Sequence, residues 1–215
     1  NASPSVIVHP GRHVSWYGDD TQRARAMAIL NALLGSWGRR GGFYFKESIK
    51  VPKFPAPKYP HPKWDWRNIC EKYPIAQMGI TSEVIKCAIP SEDNKYPVKA
   101  MMIAGTNITK SIPQKELLEK AMDEMEFIVV MDTMPMAVTG YADVVLPECT
   151  YLERYDKIRS ATNREPSIAV RVPAVEPKYD SKPGWWVAKQ IGERIGLGDY
   201  FNYNDYEEVI AWQLE

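Results

Sequence analysis

The sequence predicts an α/β fold, a three-layer domain with a mostly parallel sheet. Short and almost continuous apolar runs, such as FIVVM at 127–131 and VVL at 144–146, are typical of strands buried on both faces of a sheet. These runs alternate with segments of helical pattern, as parallel strands joined by crossover helices require. We therefore expect helices to cover both faces of the sheet.

The N-terminal part begins with a predicted short strand at 5–9, which the Pro-Gly pair at 10–11 ends. Asp19, Asp20 and Thr21 provide N-cap chemistry for a helix. Gly35 suits the position after the last turn of this helix. The apolar stripe of the predicted helix consists of Ala26, Ile29, Leu30, Leu33 and Leu34. Residues 37–42 are predicted to form a loop.

Prolines recur with aromatic and basic residues between 51 and 74. Because proline removes a backbone donor, this stretch excludes regular structure and favours an extended path across a surface. We interpret residues 43–80 as an insertion in a single domain at 3–215, with a C-terminal helical segment at 181–215. Asn1-Ala2 is interpreted as a remnant of an expression tag.

The remaining elements are predicted from periodicity and from turn residues. The predicted strands are 98–104, 127–131, 143–146 and 168–172. The predicted helices are 81–89, 114–125, 185–195 and 206–214.

Polar residues come after two of the predicted strands at the point where each ends. Gly105-Thr106-Asn107 comes after the strand at 98–104, and a glycine there lets backbone N–H groups approach a phosphate closely. Asp132 ends the next strand and suits a sugar hydroxyl or the donor edge of a purine. The simpler alternatives are an ordinary turn at Gly105 and a capping role for Asp132. We expect both residues at one edge of the sheet, whereas Asp143 fixes a turn.

Composition limits the partners of the chain. There are 27 basic and 27 acidic residues and no net charge, so long-range attraction to nucleic acid or to an acidic membrane is not expected. Cys70, Cys87 and Cys149 form no Cys-x-x-Cys pair, so this chain alone provides no zinc ribbon and no iron–sulfur cluster. No apolar run is long enough to cross a bilayer.

Several stretches together resemble the molybdopterin-dinucleotide oxidoreductases of the dimethyl-sulfoxide-reductase superfamily. They are VHPGRHVSWYGDDTQRARAMAILNALLGSWGRRGG at 8–42, the GTN loop at 105–107, the strand end at Asp132, ADVVLPECTYLERYD at 142–156, and NREPSIAVRVPAVEP at 163–177 with the tryptophan-bearing helix after it. The extension to YLERYD resembles the catalytic subunits of polysulfide and thiosulfate reductases. The resemblance implies a Rossmann-like domain that binds a molybdopterin dinucleotide, and an internal fragment of a longer protein.

The resemblance also implies roles for single residues. The guanosine diphosphate arm of one pterin would contact Gly105, Thr106, Asn107, Asp132, Thr133, Arg154 and Asp180. Gly11 and His13 would lie near the pterin end, and Arg12 would attract a substrate anion beneath the metal. The alternative for Glu153 and Arg154 is a solvated ion pair of little energetic value. The tryptophans at 185–186 are expected to be core and interface residues and not part of a cofactor site. The Met-Ala-Val at 136–138 departs from a Thr-Glu-Thr stretch of many relatives.

The function implied for the parent protein is the reduction of polysulfide or thiosulfate at a bis-molybdopterin-guanine-dinucleotide centre with molybdenum or tungsten. An iron–sulfur cluster would lie upstream of this chain. Partners would be the remaining domains, an iron–sulfur electron-transfer subunit and a membrane anchor subunit, at the periplasmic or outward-facing cell envelope. The alternatives are arsenate or tetrathionate reduction, or a nucleotide-binding or interaction module without a redox role. The isolated chain is expected to hold no metal and to have no reductase activity.

Overall fold

The computed structural model describes residues 3–9, 11, 21–44, 46–58, 85–92 and 94–215. These residues group into two compact units. The first unit includes an N-terminal helix, and the second includes the sheets and the C-terminal helices. The helices are α1 (Thr21–Leu33), α2 (Ile108–Ser111), α3 (Lys115–Asp123), α4 (Gly184–Arg194) and α5 (Tyr206–Leu214). Short 3-10 turns lie at Ile85–Ala88, Ala137–Tyr141 and Gly198–Tyr200.

A parallel sheet confirms the predicted α/β fold class. Its strands are β1 (Ala100–Ala104), β2 (Phe127–Asp132) and β3 (Val144–Pro147), in that spatial order. Ala104 pairs with Met131, and Asp132 pairs with Pro147. The three strands therefore end side by side, and the loops after them begin at one edge of the sheet.

Burial differs between the strands. Ile128, Val130 and Met131 of β2 are buried, as predicted for a strand covered on both faces. Val144 and Val145 of β3 are both exposed. Since successive strand residues point to opposite faces, both faces of β3 are exposed at these residues. The prediction that both faces are covered is therefore wrong at β3. In the described part of the chain, β3 pairs with β2 alone, and no helix packs extensively on its two faces.

Asp143 fixes the start of the β2–β3 pairing, whereas the sequence predicted that it fixes a turn. Its Oδ2 accepts a hydrogen bond from the Ile128 N–H at 2.7 Å, and its own N–H donates to the Ile128 carbonyl at 2.9 Å. Both contacts lie at the amino end of the strands, which is the edge opposite to the candidate site.

The N-terminal segment corrects two predictions. Residues 5–9 form no strand, because the Asn31 side chain binds both the N–H and the carbonyl of Val8 at 2.8 Å. The apolar stripe of α1 does not face a core, since Ile29 and Leu33 are 52% and 80% exposed. The buried residue of α1 is Asn31. Gly35 does come after the helix, with a φ of 66° and a hydrogen bond to the Ala32 carbonyl.

A two-stranded antiparallel sheet comes after the parallel one along the chain. It consists of β4 (Asp156–Ala161) and β5 (Ser167–Arg171). The sequence predicted β5 but missed β4. The segment DKIRSA hides its strand character because Ile158 is its one buried residue and its neighbours are charged or small.

Residues 46–58 contain no helix or strand, and the part at 47–58 lies against the C-terminal helical region of the same unit. The Phe54 ring packs edge-on against Tyr203 at 6.0 Å and Trp212 at 5.6 Å. Asn202 and Gln213 donate side-chain hydrogen bonds to main-chain carbonyls of this stretch, at 2.9 and 2.6 Å. Aromatic packing and side-chain donors thus hold a backbone that cannot form its own ladder.

No helix of the described residues is long and apolar enough to cross a membrane. In the same residues, no group of three or more His, Cys, Asp or Glu side chains is arranged to hold a metal ion.

Candidate nucleotide-binding site

The first strand end leaves room for a ligand. Gly105 comes directly after β1 with a φ of 62°, a conformation that L side chains rarely adopt, and its N–H donates to the Met131 carbonyl at 3.0 Å. A Cβ placed on Gly105 would meet nothing within 4 Å. The glycine is therefore required by backbone conformation, and no residue that the structure describes fills the space beside it.

Thr106 and Asn107 complete this turn. Thr106 is exposed and Asn107 is half-buried. The Asn107 carbonyl accepts from the N–H groups of Lys110 and Ser111 at 3.0 Å, so this residue begins α2. Its Oδ1 accepts from Thr109 Oγ1 at 2.6 Å, and no hydrogen bond within the described part of the chain uses Asn107 Nδ2. That amide is a donor available to a phosphate or a sugar.

The second strand end carries a carboxylate beside the glycine turn. Asp132 is half-buried, and its Oδ1 accepts from the Thr133 N–H at 2.7 Å and from Thr133 Oγ1 at 3.4 Å. These contacts are the local capping that the simpler alternative proposed, but they use one oxygen. Among the residues that the structure describes, no donor reaches Asp132 Oδ2. A carboxylate at a strand end therefore keeps one acceptor for a ligand.

The third strand end forms a cleft of about 480 Å³ with α4. The Lys182 N–H donates to the Pro147 carbonyl, and the Cys149 N–H donates to the Lys182 carbonyl, both at 3.1 Å. These two bonds connect the residues before α4 to the end of β3. The cleft is lined by Leu146, Pro147, Asp180, Lys182, Trp186, Val187, Gln190, Ile191 and Arg194.

The cleft combines an aromatic surface with charges of both signs. Asp180 is exposed, and the Lys182 ammonium lies 5.8 Å from the centre of the Trp186 ring. Trp186 is 38% exposed and lines the cleft, so it is not a buried core residue, although the sequence suggested a core and interface role. An aromatic face with a neighbouring ammonium and carboxylate suits a planar, polar ring bearing phosphates.

Glu153 and Arg154 do not form the solvated pair that was the simpler alternative. Glu153 accepts from the Lys178 N–H at 2.9 Å, from the Thr150 N–H at 2.8 Å and from Thr150 Oγ1 at 2.9 Å. The bond from the Lys178 backbone, together with those from Thr150, lowers the pKa of Glu153 from its usual 4.5. Glu153 thus holds the segment that leads to Asp180.

Arg154 is bound by the protein itself. Its Nη1 donates to Glu148 Oε1 and to the Cys149 carbonyl, the latter at 3.0 Å, and its Nε donates to Asp156 Oδ1 at 3.1 Å. The guanidinium is therefore already bonded to two carboxylates of the protein. Glu148 and Asp156 were not singled out from the sequence, because an acidic residue within a motif does not reveal its partner.

The structure brings together the predicted residues that come after β1 and β2, at the edge where β3 also ends. Arg12 and His13 lie outside the described residues. Gly11 belongs to the first unit and has a φ of 77°.

Met-Ala-Val at 136–138, where many relatives have Thr-Glu-Thr, has a local structural explanation. The Met136 N–H donates to Thr139 Oγ1 at 3.0 Å, and Val138 is fully buried.

A parallel sheet with polar groups at its carboxyl ends defines an α/β domain of the class that binds ligands at this edge. The chain belongs to the molybdopterin oxidoreductase family, whose model matches residues 4–194. This confirms the resemblance stated from the sequence.

Two curated relatives differ in how much of the chain they match. The thiosulfate reductase molybdopterin-containing subunit PhsA of Salmonella typhimurium is 28% identical over 99% of this chain and 30% of its own length. The F420-dependent formate dehydrogenase subunit alpha of Methanocaldococcus jannaschii is 34% identical over 52% of this chain and 16% of its own length. The chain thus spans less than a third of either relative.

A solved structure supports the fold. Acetylene hydratase from Pelobacter acetylenicus matches with a TM-score of 0.52 and 23% identity, over 66% of this chain and 20% of that protein. The similarity extends the agreement on fold class to an experimentally determined protein.

Proposed function

We propose that this chain binds the guanosine diphosphate arm of a bis-molybdopterin-guanine-dinucleotide cofactor within the catalytic subunit of a larger oxidoreductase. The single observation that carries the proposal is the pair of adjacent strand ends. Gly105 leaves open space there, and Asp132 Oδ2 has no donor among the described residues. The donor and acceptor set fits a nucleotide, because Asn107 Nδ2 offers a donor to phosphate and Asp132 an acceptor to a guanine or ribose donor.

The cleft beside β3 supports the same ligand. Lys182 and Arg194 can neutralise a diphosphate, the Trp186 face can hold a planar ring, and Asp180 adds an acceptor. These residues bind and orient the nucleotide, while bound molybdenum or tungsten supplies the electron transfer of the parent protein. Fixing the dinucleotide arm by many polar contacts positions the distant reactive end.

For the parent protein we propose the reduction of polysulfide or thiosulfate. The similarity to the thiosulfate reductase subunit supports this substrate class, because it extends over 99% of the chain. Arg12 is proposed to attract the substrate anion, and Gly11 and His13 to lie near the pterin. The proposed partners are the remaining domains, an iron–sulfur subunit and a membrane anchor subunit at the outward-facing cell envelope. The iron–sulfur cluster of the parent would lie outside this chain.

The nucleotide proposal is tested by changing one atom of Asp132. In full-length protein purified without cofactor, the binding of GDP and of xanthosine diphosphate is measured by titration calorimetry. Asp132→Asn exchanges an acceptor for a donor, while its remaining oxygen can still accept from Thr133. If Asp132 holds the guanine edge, the variant should lose GDP affinity roughly 10-fold or more and gain affinity for xanthosine diphosphate, as mismatched hydrogen bonds predict. If Asp132 holds the ribose, both nucleotides should lose affinity equally.

Asp143→Asn is the matched control, because this aspartate belongs to the same sheet but lies at its amino edge. The control should bind GDP as the wild type does. Wild-type protein that binds neither nucleotide would contradict the proposal and favour an interaction module without a nucleotide. Stoichiometric molybdenum in the isolated 215-residue chain would contradict the expectation that this chain alone holds no metal.

A further inference from the structure

Four charged side chains form a compensated cluster next to the cleft. The cluster consists of Glu148, Arg154, Asp156 and Arg171, and its formal charges sum to zero. Arg154 bonds to both carboxylates, and Arg171 Nη1 donates to Asp156 Oδ2 at 2.6 Å. Arg171 also lies over the Tyr151 ring, 5.4 Å from its centre. The cluster joins β4 and β5 to the loop at 147–156, which begins where β3 ends.

This compensation argues against Arg154 as a phosphate ligand. The side chains of Arg154, Glu148 and Asp156 are 20%, 12% and 29% exposed. A phosphate that approached Arg154 would meet two carboxylates at hydrogen-bond distance from the same guanidinium. Repulsion between like charges is strong where water is partly excluded, so the anion would gain little there.

The Glu148 carboxylate lies against the beginning of α4. A Cβ on Gly184 would be 3.0 Å from Glu148 Oε1 and 3.2 Å from Met131 Cε, so the backbone of α4 packs directly on this carboxylate. Glu148 also forms a parallel bridge with Lys182, two residues before the helix begins. Main-chain bonds to Pro147 and Cys149 hold Lys182, and the Glu148 carboxylate contacts the backbone at Gly184, two residues further on.

That backbone forms one wall of the cleft. Asp180 and Lys182 line it, as does Trp186 from the first turn of α4. We propose that Arg154 is a positioning residue, which holds the Glu148 carboxylate against Gly184 and thereby sets the wall from Asp180 to Trp186. The effect on nucleotide binding rests on the proposed function, whereas the effect on the wall does not.

Hydrogen exchange tests the positioning role without any ligand. In full-length protein, Arg154→Ala should increase amide exchange at residues 180–186 and leave α5 unchanged. Glu148→Gln keeps the shape of the side chain but removes its charge, and it should increase exchange in the same residues. Adding Arg154→Ala to Glu148→Gln should increase exchange by less than the sum of the single changes, because the two residues act through one contact. Arg164→Ala, in an exposed loop, is the control for the loss of an arginine.

Nucleotide binding then separates positioning from direct contact. A positioning residue predicts that Arg154→Ala weakens guanosine as well as GDP, by roughly 10-fold for a coupling of this kind, because the wall carries Asp180 and Trp186 in addition to Lys182. A phosphate ligand predicts a loss for GDP alone. Arg154→Lys keeps the charge without the planar fork and should recover part of the affinity for both. If Arg154→Ala does not fold, the same measurements are made on Arg154→Lys and Glu148→Gln.

Unchanged exchange at 180–186, or a loss confined to GDP, would overturn the positioning role. A wild-type protein that binds neither GDP nor guanosine would instead overturn the proposed function, and the exchange result would still decide the role of Arg154. The two proposals therefore fail separately.

Discussion

Two regions at the same edge of one sheet are built in opposite ways. The open ends, residues 105–107 and 132–133, make short local hydrogen bonds and leave polar atoms such as Asp132 Oδ2 without a donor among the described residues. In the braced loop, residues 147–156, the charged side chains bond to one another and to backbone groups. Both regions contain polar and acidic residues, so composition alone does not separate them.

The difference shows how a binding edge divides its tasks. Polar atoms that meet a ligand must remain available until the ligand arrives, and the open ends provide this at little cost because they are near water. Charges that support the edge must be compensated in its absence, since an unpaired and partly buried charge is strongly destabilising. Arg154 is one of the compensated charges that support the edge, although its sequence motif resembles that of a ligand contact.

The largest expected effect is the loss of stability when the braced loop loses Arg154. Arg154→Ala leaves Glu148 and Asp156 without their shared cation, and both carboxylates are mostly buried. We expect the free energy of unfolding to fall by about 2–3 kcal/mol, below the range for fully buried pairs because some water reaches the cluster. Urea unfolding of the wild type and of the variant measures this difference in the free energy of unfolding.

Arg164→Ala is the control and should change stability by less than about 0.5 kcal/mol, as surface substitutions usually do. Combining Arg154→Ala with Glu148→Gln should recover part of the loss, because one unpaired charge disappears. An Arg154→Ala protein as stable as the wild type would show that the cluster does not brace the loop.

A smaller effect is expected from a backbone change in the open ends. Gly105→Ala meets no atom within 4 Å, so its cost is the positive φ alone, about 1–2 kcal/mol. Gly35→Ala is the matched control, since Gly35 has a φ of 66° and equally open space. Both variants should lose similar stability by urea unfolding, but only Gly105→Ala should weaken GDP binding. Equal GDP affinities in the two variants would remove Gly105 from the site.

The sequence predicted the open ends better than the braced loop. A strand that ends in glycine or in an aspartate is a local pattern, and it predicts β1, β2 and the positions of Gly105 and Asp132. The partners of Arg154 depend on how residues 148–156 fold back on themselves and on a strand, β4, that lacks an apolar pattern. The exposed stripe of α1 was mispredicted for a related reason, because periodicity shows which residues share a helix face but not which face is buried.

Acid should loosen the braced loop at Glu153. Backbone bonds favour the charged carboxylate and lower its pKa in the folded state, so its contribution to stability is present above the ordinary value of 4.5. The contribution is lost as the pH falls below 4.5 through the lowered folded pKa. Glu153→Gln lacks the charge, so the stability difference between the wild type and this variant should shrink in that window. A difference that is constant across it would show that Glu153 does not titrate with folding.

The smallest effect on stability is expected at Asp180. This residue tests whether a side chain of the cleft contacts the ligand without stabilising the fold. Asp180 is exposed, and Asp180→Ala should change the free energy of unfolding by less than about 0.5 kcal/mol. Because the side chain lines the cleft, the same variant should still weaken GDP binding. Asp199→Ala is the control, since Asp199 is exposed in the 3-10 turn Gly198–Tyr200 and does not line the cleft. Paired unfolding and calorimetry should therefore show an affinity change without a stability change at Asp180, whereas Arg154→Ala should lower both stability and affinity. Unchanged GDP affinity in Asp180→Ala would remove Asp180 from the proposed nucleotide contacts.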